Sequence, residues 1–412
     1  METTPKSLRI QIALLGRTNV GKSSFLNMVC DQDVSVISPI PGTTTDIVEK
    51  SIELLPFGPV TFLDTGGLDD ESILSEKRIE KSLKTFNRAD IVILIAEPNS
   101  WTKFEEDVVK SSKERNLPLI IVVNKIDLES PTPEFSKLIN EKTSISVFVS
   151  CSEKEKAKDY IIAFKNALHK AIPDQDKLQQ QLLGDIITPG YLIVFIIPID
   201  SQAPKGRLIL PQVQSLRDTL DNDSIGIVVK ETDYPYCLTQ LSRKPDLVVC
   251  DSQVVHKMVA DTPEDVKCTT FSILFSRYKG DLNEEVRGVS QIDFLKPNDK
   301  ILIAEACSHH PLEDDIGRIK IPNWLRKYLS FEVKIDIVNG RDFPSNLKEY
   351  KLIIHCGACM LTRNEKLVRI NHAKEANVPI TNYGITISHL QGVLKRTLSP
   401  FPEALKIYCE KI

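Results

Sequence analysis

Gly16-Arg17-Thr18-Asn19-Val20-Gly21-Lys22-Ser23 decides how the first third of this chain is read. The stretch follows an apolar run, Ile10–Leu15, that reads as a strand, and it precedes a helical pattern starting near Ser24. Glycines at both ends let backbone N–H groups turn toward phosphate oxygens, and the helix N-terminus adds positive potential. Lys22 is spaced to bridge the β and γ phosphates of a nucleotide, and the Ser23 hydroxyl to ligate Mg²⁺. Gly16, Asn19, Val20, Gly21, Lys22, Ser23 and Ser24 are therefore the candidate phosphate-site residues.

Working outward, three segments follow in the order a guanine-nucleotide site requires. Asp64-Thr65-Gly66-Gly67 closes the strand Val60–Leu63, so Asp64 is expected to hold the Mg²⁺ water shell and a glycine amide, Gly67 or Gly66, to sense the γ-phosphate. Asn124-Lys125-Ile126-Asp127 closes the strand Leu119–Val123. A carboxylate at Asp127 can accept both N1–H and N2–H₂ of guanine, a donor pair that adenine lacks, which favours GTP over ATP. Ser150-Cys151-Ser152 closes the next strand and is expected to support the base through backbone amides. Between the phosphate loop and Asp64 lies Pro41-Gly42-Thr43-Thr44-Thr45-Asp46, a turn-rich threonine segment in which Thr44 is the expected Mg²⁺ contact and switch residue. Lys22, Asn19, Thr44 and Gly67 make up the expected catalytic set.

Strand candidates Arg9–Leu15, Val60–Leu63, Ile91–Ile95, Leu119–Val123 and Ser146–Ser150 alternate with helical patterns, which argues for a parallel sheet wrapped by helices. The polar, proline-opened segment from Ile172 to Gln181 reads as a linker. Two smaller α/β patterns follow. One has strands Tyr191–Ile199, Ile225–Val229 and Asp246–Cys250 with a helix near Gln212–Leu220; it lacks a glycine-rich loop or an acid/base pair, so packing or oligomerisation is its expected role. The other has strands Lys300–Ala306, Glu332–Val338 and Lys351–His355 with helices Arg318–Leu329, Asn364–Ala376 and Ile387–Thr397. The expected fold is thus α/β throughout: a P-loop GTPase domain over residues 1–173, then smaller domains over 174–266 and 267–412.

The bulk composition excludes several classes. With 52 basic against 56 acidic residues the net charge is −4, so no whole-chain attraction to nucleic acid or anionic membrane is expected. The start lacks a secretory signal, and the longest apolar run, Tyr191 to Pro198, is far short of the roughly 20 residues that span a bilayer. A cytoplasmic protein is expected. Nine cysteines in a reducing compartment read as free thiols or metal ligands. Cys30, Cys151, Cys237, Cys250, Cys268 and Cys409 are expected to be small buried hydrophobes.

Cys307, Cys356 and Cys359 differ because histidines surround them. Cys307-Ser308-His309-His310 follows one strand and His355-Cys356-Gly357-Ala358-Cys359 follows another, so both clusters fall at carboxyl ends of strands, where open sheets place ligands. Three thiolates and a histidine suit zinc, and a Cys-x-x-Cys loop with a distant third cysteine also suits an iron–sulfur cluster. The residue types alone leave both open.

Over about 165 residues, and through all five nucleotide motifs quoted above, the chain resembles GTPases of the Era and MnmE kind. Leu68 stands where Ras-like proteins carry the glutamine that positions the attacking water, and Asn19 where the potassium-activated members carry an asparagine. The resemblance therefore implies K⁺ as a source of positive charge during hydrolysis.

A second resemblance covers essentially the whole chain. Cys307-x-His309, a gap of 45 residues, then His355-Cys356-x-x-Cys359 is similar to the signature of the HydF family, the GTPases of [FeFe]-hydrogenase maturation. It implies a dimerisation domain in the middle and a [4Fe–4S] cluster held by Cys307, Cys356 and Cys359, with His309, His355 or Glu305 at a fourth, exchangeable position. It further implies a homodimer or higher oligomer, the radical-SAM maturases HydE and HydG and apo-hydrogenase as partners, and a transient diiron precursor as cargo. The alternative reading is a ribosome- or tRNA-associated GTPase with a zinc-stabilised C-terminal domain. A cluster enzyme with a regulatory GTPase is disfavoured, because no Cys-x-x-x-Cys-x-x-Cys loop is present.

Overall fold

The computed structural model describes residues 5–30, 48–64, 84–172, 181–199, 205–206, 208–306, 315–340, 343–344 and 346–410. It separates into two compact units, Met1–Gln179 and Gln180–Ile412.

The first unit is built on six strands: β1 (Ile10–Gly16), β2 (Val48–Leu54), β3 (Gly58–Asp64), β4 (Ile91–Ala96), β5 (Leu119–Val123) and β6 (Ser146–Phe148), in the order β2-β3-β1-β4-β5-β6. All neighbours are parallel except β2 and β3, which form a hairpin. Ile91-Val-Ile-Leu-Ile-Ala96 is buried at every position, the unbroken apolar run of a parallel strand covered on both faces. Helices α1 (Lys22–Cys30), α2 (Lys103–Glu114), α3 (Pro133–Lys142) and α4 (Ala157–Ala171) supply the cover. One apolar core packs Phe25 and Phe164 against one face of the sheet; a second packs Val108, Phe135 and Ile139 against the other. β1 lies between β3 and β4, so chain connections leave it in opposite directions. That reversal opens a crevice at its carboxyl end, where the phosphate loop begins.

The second unit holds two four-stranded, wholly parallel sheets. The first orders β7 (Leu192–Ile196), β8 (Ile225–Val229), β9 (Leu247–Cys250) and β10 (Lys267–Thr270) as β10-β9-β7-β8. The second orders β11 (Lys300–Ala304), β12 (Lys334–Val338), β13 (Leu352–His355) and β14 (Ile380–Asn382) as β12-β11-β13-β14. Among the described residues the helices of this unit are, in chain order, α5 (Leu210–Asp221), α6 (Tyr234–Gln240), α7 (Val255–Asp261), α8 (Phe271–Lys279), α9 (Leu282–Val289), α10 (Ile321–Leu329), α11 (Arg363–Glu375), α12 (Tyr383–Leu390), α13 (Leu394–Thr397) and α14 (Pro402–Glu410).

A single apolar core serves both sheets: Phe195 and Val249 from the first and Ile301, Ile303 and Ile354 from the second belong to the same buried cluster. α8 and α12 pack on each other within it. β10 starts at Lys267, just past the boundary drawn from sequence at 266/267, yet it pairs with β9. The helical pattern expected over Ile387–Thr397 is broken at Gln391-Gly392, where Gly392 takes φ +72° and α12 gives way to α13.

β8 is an edge strand and leaves Ile225 and Val228 54% and 46% exposed. Cys250 and Cys268 are buried as expected, whereas Cys409 is exposed on the last helix. Among the described residues no helix is long and apolar enough to cross a membrane.

Candidate functional site

The phosphate loop connects β1 to α1, and its glycines are fixed by contact as well as by conformation. Gly16 has φ +156°, and a Cβ there would stand 2.6 Å from the Ile95 carbonyl oxygen. Gly21 has φ +97°, and its Cβ would stand 2.2 Å from Nδ2 of Asn124. Asn19 turns the loop at φ +64° and is exposed, as are Ser23 and Ser24 in the first turn of α1. Lys22 folds back over the loop, its Nζ donating to the carbonyls of Gly16 at 2.5 Å and Arg17 at 2.8 Å. The ammonium is thereby kept against the backbone of the loop that would receive phosphate.

Asn124 joins three of the motifs. Its Nδ2 donates to the Val20 carbonyl at 2.9 Å, and its Oδ1 accepts the Cys151 amide at 3.2 Å. Asp127 is held by two hydroxyls, Ser150 donating to one carboxylate oxygen at 2.6 Å and Ser152 to the other at 2.7 Å. Those hydroxyls, Ser150 foremost, hold its carboxyl below the usual range, so it is ionised and each oxygen keeps acceptor capacity for a base N–H. Burial, followed by the charge of Asp127, pushes the Cys151 thiol up to about 11, so Cys151 contributes its amide and a neutral side chain. Lys125 takes φ +66° and pairs with Glu97 at 2.5 Å.

Asp64 ends β3 opposite Leu14 of β1. Its Oδ1 is buried and has no hydrogen-bond partner among the described residues, a condition that a hydrated cation relieves. Thr44 and Gly67 lie outside the described residues. Arg17, which the motif reading passed over, donates from Nε to Glu105 at 2.6 Å and from Nη2 to Ser100 at 2.7 Å. No local signal in the sequence points to a partner that far along the chain.

The cysteine loop leaves the carboxyl end of β13 beside that of β11, with Ala304 and His355 in register. The Cys356 amide donates to the Ala304 carbonyl at 2.9 Å, and the Ala306 amide donates to Sγ of Cys356 at 3.1 Å. Cys356 is thus stitched to the segment that leads directly into Cys307. Cys307 and His309 themselves lie outside the described residues. Ala358 adopts φ +54°, the Leu361 amide closes the turn onto the Ala358 carbonyl at 3.1 Å, and Thr362 caps α11. Burial pushes both the Cys356 and Cys359 thiols up, and the negative charge of one raises the other. Both are therefore neutral thiols, and a thiol has to give up its proton before it can ligate a metal.

Both cysteines line a cavity of about 190 Å³ together with Glu305, Asp315, Gly317 and Tyr383. Glu305 is 2% exposed and paired with Arg318 at 3.0 Å. Two thiols and a buried carboxylate on one small cavity form a donor set suited to a thiophilic metal or an iron–sulfur group. Among the described residues, no group of three or more His, Cys, Asp or Glu side chains is already gathered to hold an ion.

His355, expected as a ligand candidate, is differently employed. It is 1% exposed; its Nδ1 bonds the Cys356 carbonyl at 2.7 Å, and its Nε2 bonds Nη1 of Arg369 at 2.9 Å. Because a carbonyl only accepts and a guanidinium only donates, the ring is the neutral Nδ1–H tautomer with both nitrogens engaged. Burial, with Arg369 and Lys366 beside it, pushes its pKa well down. His355 therefore braces the loop from behind and offers no free nitrogen to a metal.

Lys279, from α8, was also unforeseen. It is 1% exposed and donates from Nζ to the carbonyls of Cys359 at 3.0 Å and Leu361 at 2.8 Å. Burial pushes its pKa down to about 8. Close by, Lys366 and Glu285 form a fully buried ion pair at 2.8 Å.

Comparison with known proteins assigns these parts. The model of the hydrogen maturase F dimerization domain matches residues 182–280, and that of the hydrogen maturase F tetramerization domain matches residues 283–400. The chain belongs to the hydrogen maturase F family. A third model, of a 50S ribosome-binding GTPase, matches residues 11–125, the segment that carries the phosphate loop. GTPase Era of Thermoanaerobacter sp. (strain X514) is 30% identical over 260 residues, 60% of this chain and 82% of that protein. The tRNA modification GTPase MnmE of Prochlorococcus marinus (strain NATL2A) is 44% identical over 121 residues, 29% of this chain and only 26% of that protein's length. The crystal structure of a variant Era from Aquifex aeolicus bound to GDP·AlF₄⁻ aligns with a TM-score of 0.31 at 21% identity, covering 56% of this chain and 98% of that one.

The chain thus joins a GTPase domain to the dimerization and tetramerization regions of that family. With those two models spanning most of residues 182–400, a ribosome- or tRNA-associated protein with a zinc-stabilised tail is not favoured.

Proposed function

We propose that the protein is a cytoplasmic, GTP-gated scaffold or carrier that holds a [4Fe–4S] cluster and passes a diiron precursor to apo-[FeFe]-hydrogenase, with the radical-SAM maturases HydE and HydG as its other partners. Residues 1–173 form the GTPase, 174–266 serve dimerisation and 267–412 hold the cluster. Cys307, Cys356 and Cys359 are the proposed ligands, with Glu305 or His309 at the fourth position. When bound, the cluster supplies an iron with an exchangeable site. The chain's own part is to shape and shield that site: His355 and Arg369 brace the loop, and Glu305 presents its carboxylate at the cavity wall.

The observation that carries this reading is the 3.1 Å bond from the Ala306 amide to the Cys356 sulfur, which ties the Cys-x-x-Cys loop to the segment entering Cys307. Hydrolysis is regulatory: GTP and GDP order the switch segments differently, and affinity for a partner changes only by the difference in its binding to the two states. Asn19 assists by holding K⁺ near the phosphates.

The test is anaerobic purification followed by iron, sulfide and zinc analysis with EPR, on the wild type and on Cys356→Ala. Iron and sulfide in the wild type and their loss from the variant are expected. Stoichiometric zinc without iron would overturn the carrier assignment.

A further inference from the structure

The ammonium of Lys279 is placed where a protein ordinarily cannot keep one. It is 1% exposed, and its hydrogen-bond partners are two backbone carbonyls, those of Cys359 and Leu361, with the Phe275 ring 5.7 Å away. The charge of the buried Glu365 favours the ammonium without contacting it, and that of the neighbouring Lys366, itself paired with Glu285, opposes it. Burying a cation without a carboxylate in contact is costly, and such an arrangement persists only where something compensates it. What lies next to this ammonium is the loop that carries two thiols facing a cavity.

We propose that Lys279 is a positioning residue for the cysteine loop, gripping it at two carbonyls and supplying the counter-charge for the thiolate-bound group that the loop receives. The inference rests on the cluster reading above and deepens it. A [4Fe–4S] core of formal charge 2+ on three thiolates carries one net negative charge, and one-electron reduction adds a second. A fixed cation beside Cys359 therefore favours the bound state over the empty one and the reduced state over the oxidised one. The two carbonyl bonds add a mechanical effect. Cys359 and Leu361 flank Met360 on a turn entered through the left-handed Ala358, so fixing both carbonyls fixes the direction in which the Cys359 side chain leaves the backbone. Glycine at 280 is part of the same construction, since a Cβ there would stand 2.9 Å from Cε of Lys366.

The experiment compares wild type, Lys279→Met and Lys279→Arg by three readouts. The first is Co²⁺ affinity of the metal-free protein, followed through the thiolate-to-cobalt absorption. Lys279→Met is expected to weaken it by about 10–100-fold, the usual effect of losing a residue that orients a ligand. The second is the midpoint potential of the reconstituted cluster, expected to move negative in Lys279→Met and to return toward wild type in Lys279→Arg; a residue that merely packs would not give that rescue. The third is amide exchange of the 356–362 peptide in the metal-free proteins, expected to be protected in wild type and Lys279→Arg and faster in Lys279→Met; should Lys279→Met fail to fold, the comparison of wild type with Lys279→Arg still reads the grip on the loop. Exchange of that peptide at the rate of an unstructured segment would overturn the proposal, as would a folded Lys279→Met with unchanged Co²⁺ affinity and potential. If the wild type itself binds neither Co²⁺ nor iron through these cysteines, the cluster reading falls first, and the inference with it.

Discussion

Arg17, the second residue of the phosphate loop, donates its Nε to Oε1 of Glu105 across 2.6 Å, and the other oxygen of Glu105 caps α2 through the Thr102 amide and hydroxyl. One fully buried carboxylate thereby secures both the nucleotide loop and the start of a helix. Replacing Glu105 with Gln removes the charge while keeping most of the shape, and a loss of about 1–3 kcal/mol is expected. Glu105→Ala, which strands Arg17 and uncaps the helix, should cost about 3–5 kcal/mol. Thermal unfolding with and without GDP measures both. Melting temperatures and GDP affinities equal to wild type would show that the tether is incidental.

Asp127 should carry base selectivity. Asp127→Asn replaces an acceptor pair by one acceptor and one donor, and GTP affinity is expected to fall on the order of 10²-fold or more while xanthosine triphosphate improves. The pH dependence follows from the sign of the shift. Because the Ser150 and Ser152 hydroxyls lower its folded pKa, the group is ionised throughout the neutral range, and its contribution disappears only as pH falls through that lowered value. GTP affinity should accordingly be flat from about pH 8 to about pH 5 with respect to this residue. Calorimetry showing a decline already near neutrality would contradict the assignment.

The exposed apolar edge at β8 should contribute to self-association through the dimerization region. Val228→Lys and Ile225→Lys place charges on a strand whose outer backbone groups have no neighbouring strand among the described residues. A shift of the light-scattering mass toward monomer is expected, with GTP turnover retained. An unchanged mass for the double variant would move the interface elsewhere.

Potassium should accelerate hydrolysis through Asn19. Turnover in K⁺ is expected to exceed that in Na⁺ by about tenfold or more, with Asn19→Ala abolishing the difference. Equal rates in the two salts would remove K⁺ from the mechanism.

Gly288 is a packing requirement. A Cβ at this position of α9 would stand 2.0 Å from the Ile380 carbonyl oxygen, a backbone atom that cannot rotate away. Gly288→Ala should destabilise by roughly 1–3 kcal/mol or more through overpacking, read as a lowered denaturant midpoint. An unchanged midpoint would mean that α9 and β14 can part without cost.

The legible parts of this chain were those whose physics is local. The phosphate loop, Asp64, Asn124 and Asp127 each follow a short apolar strand, so spacing and strand end together placed them. β2 escaped because Val48-Glu-Lys-Ser-Ile-Glu-Leu54 alternates as an edge strand but is rich in charge, and β14 because three residues are too few to show a period. His355 was drawn in by adjacency to Cys356, although successive residues at a strand end face opposite ways, and that alternation would have sent it to the far side. Lys279, Arg369 and Glu105 act on residues distant in sequence or through side-chain direction, and neither leaves a mark on composition or spacing.

One core runs beneath both parallel sheets of residues 180–412, with Phe195, Ile303 and Ile354 in the same buried cluster. Two regions that family descriptions treat separately therefore share their cooperativity. Cutting the chain between them would strand half of an apolar interior in water on each piece, and neither fragment should survive as a faithful miniature of the whole. Calorimetry of this half should trace one melting peak, and any strain introduced at the β8 edge has a continuous solid path toward the cysteines.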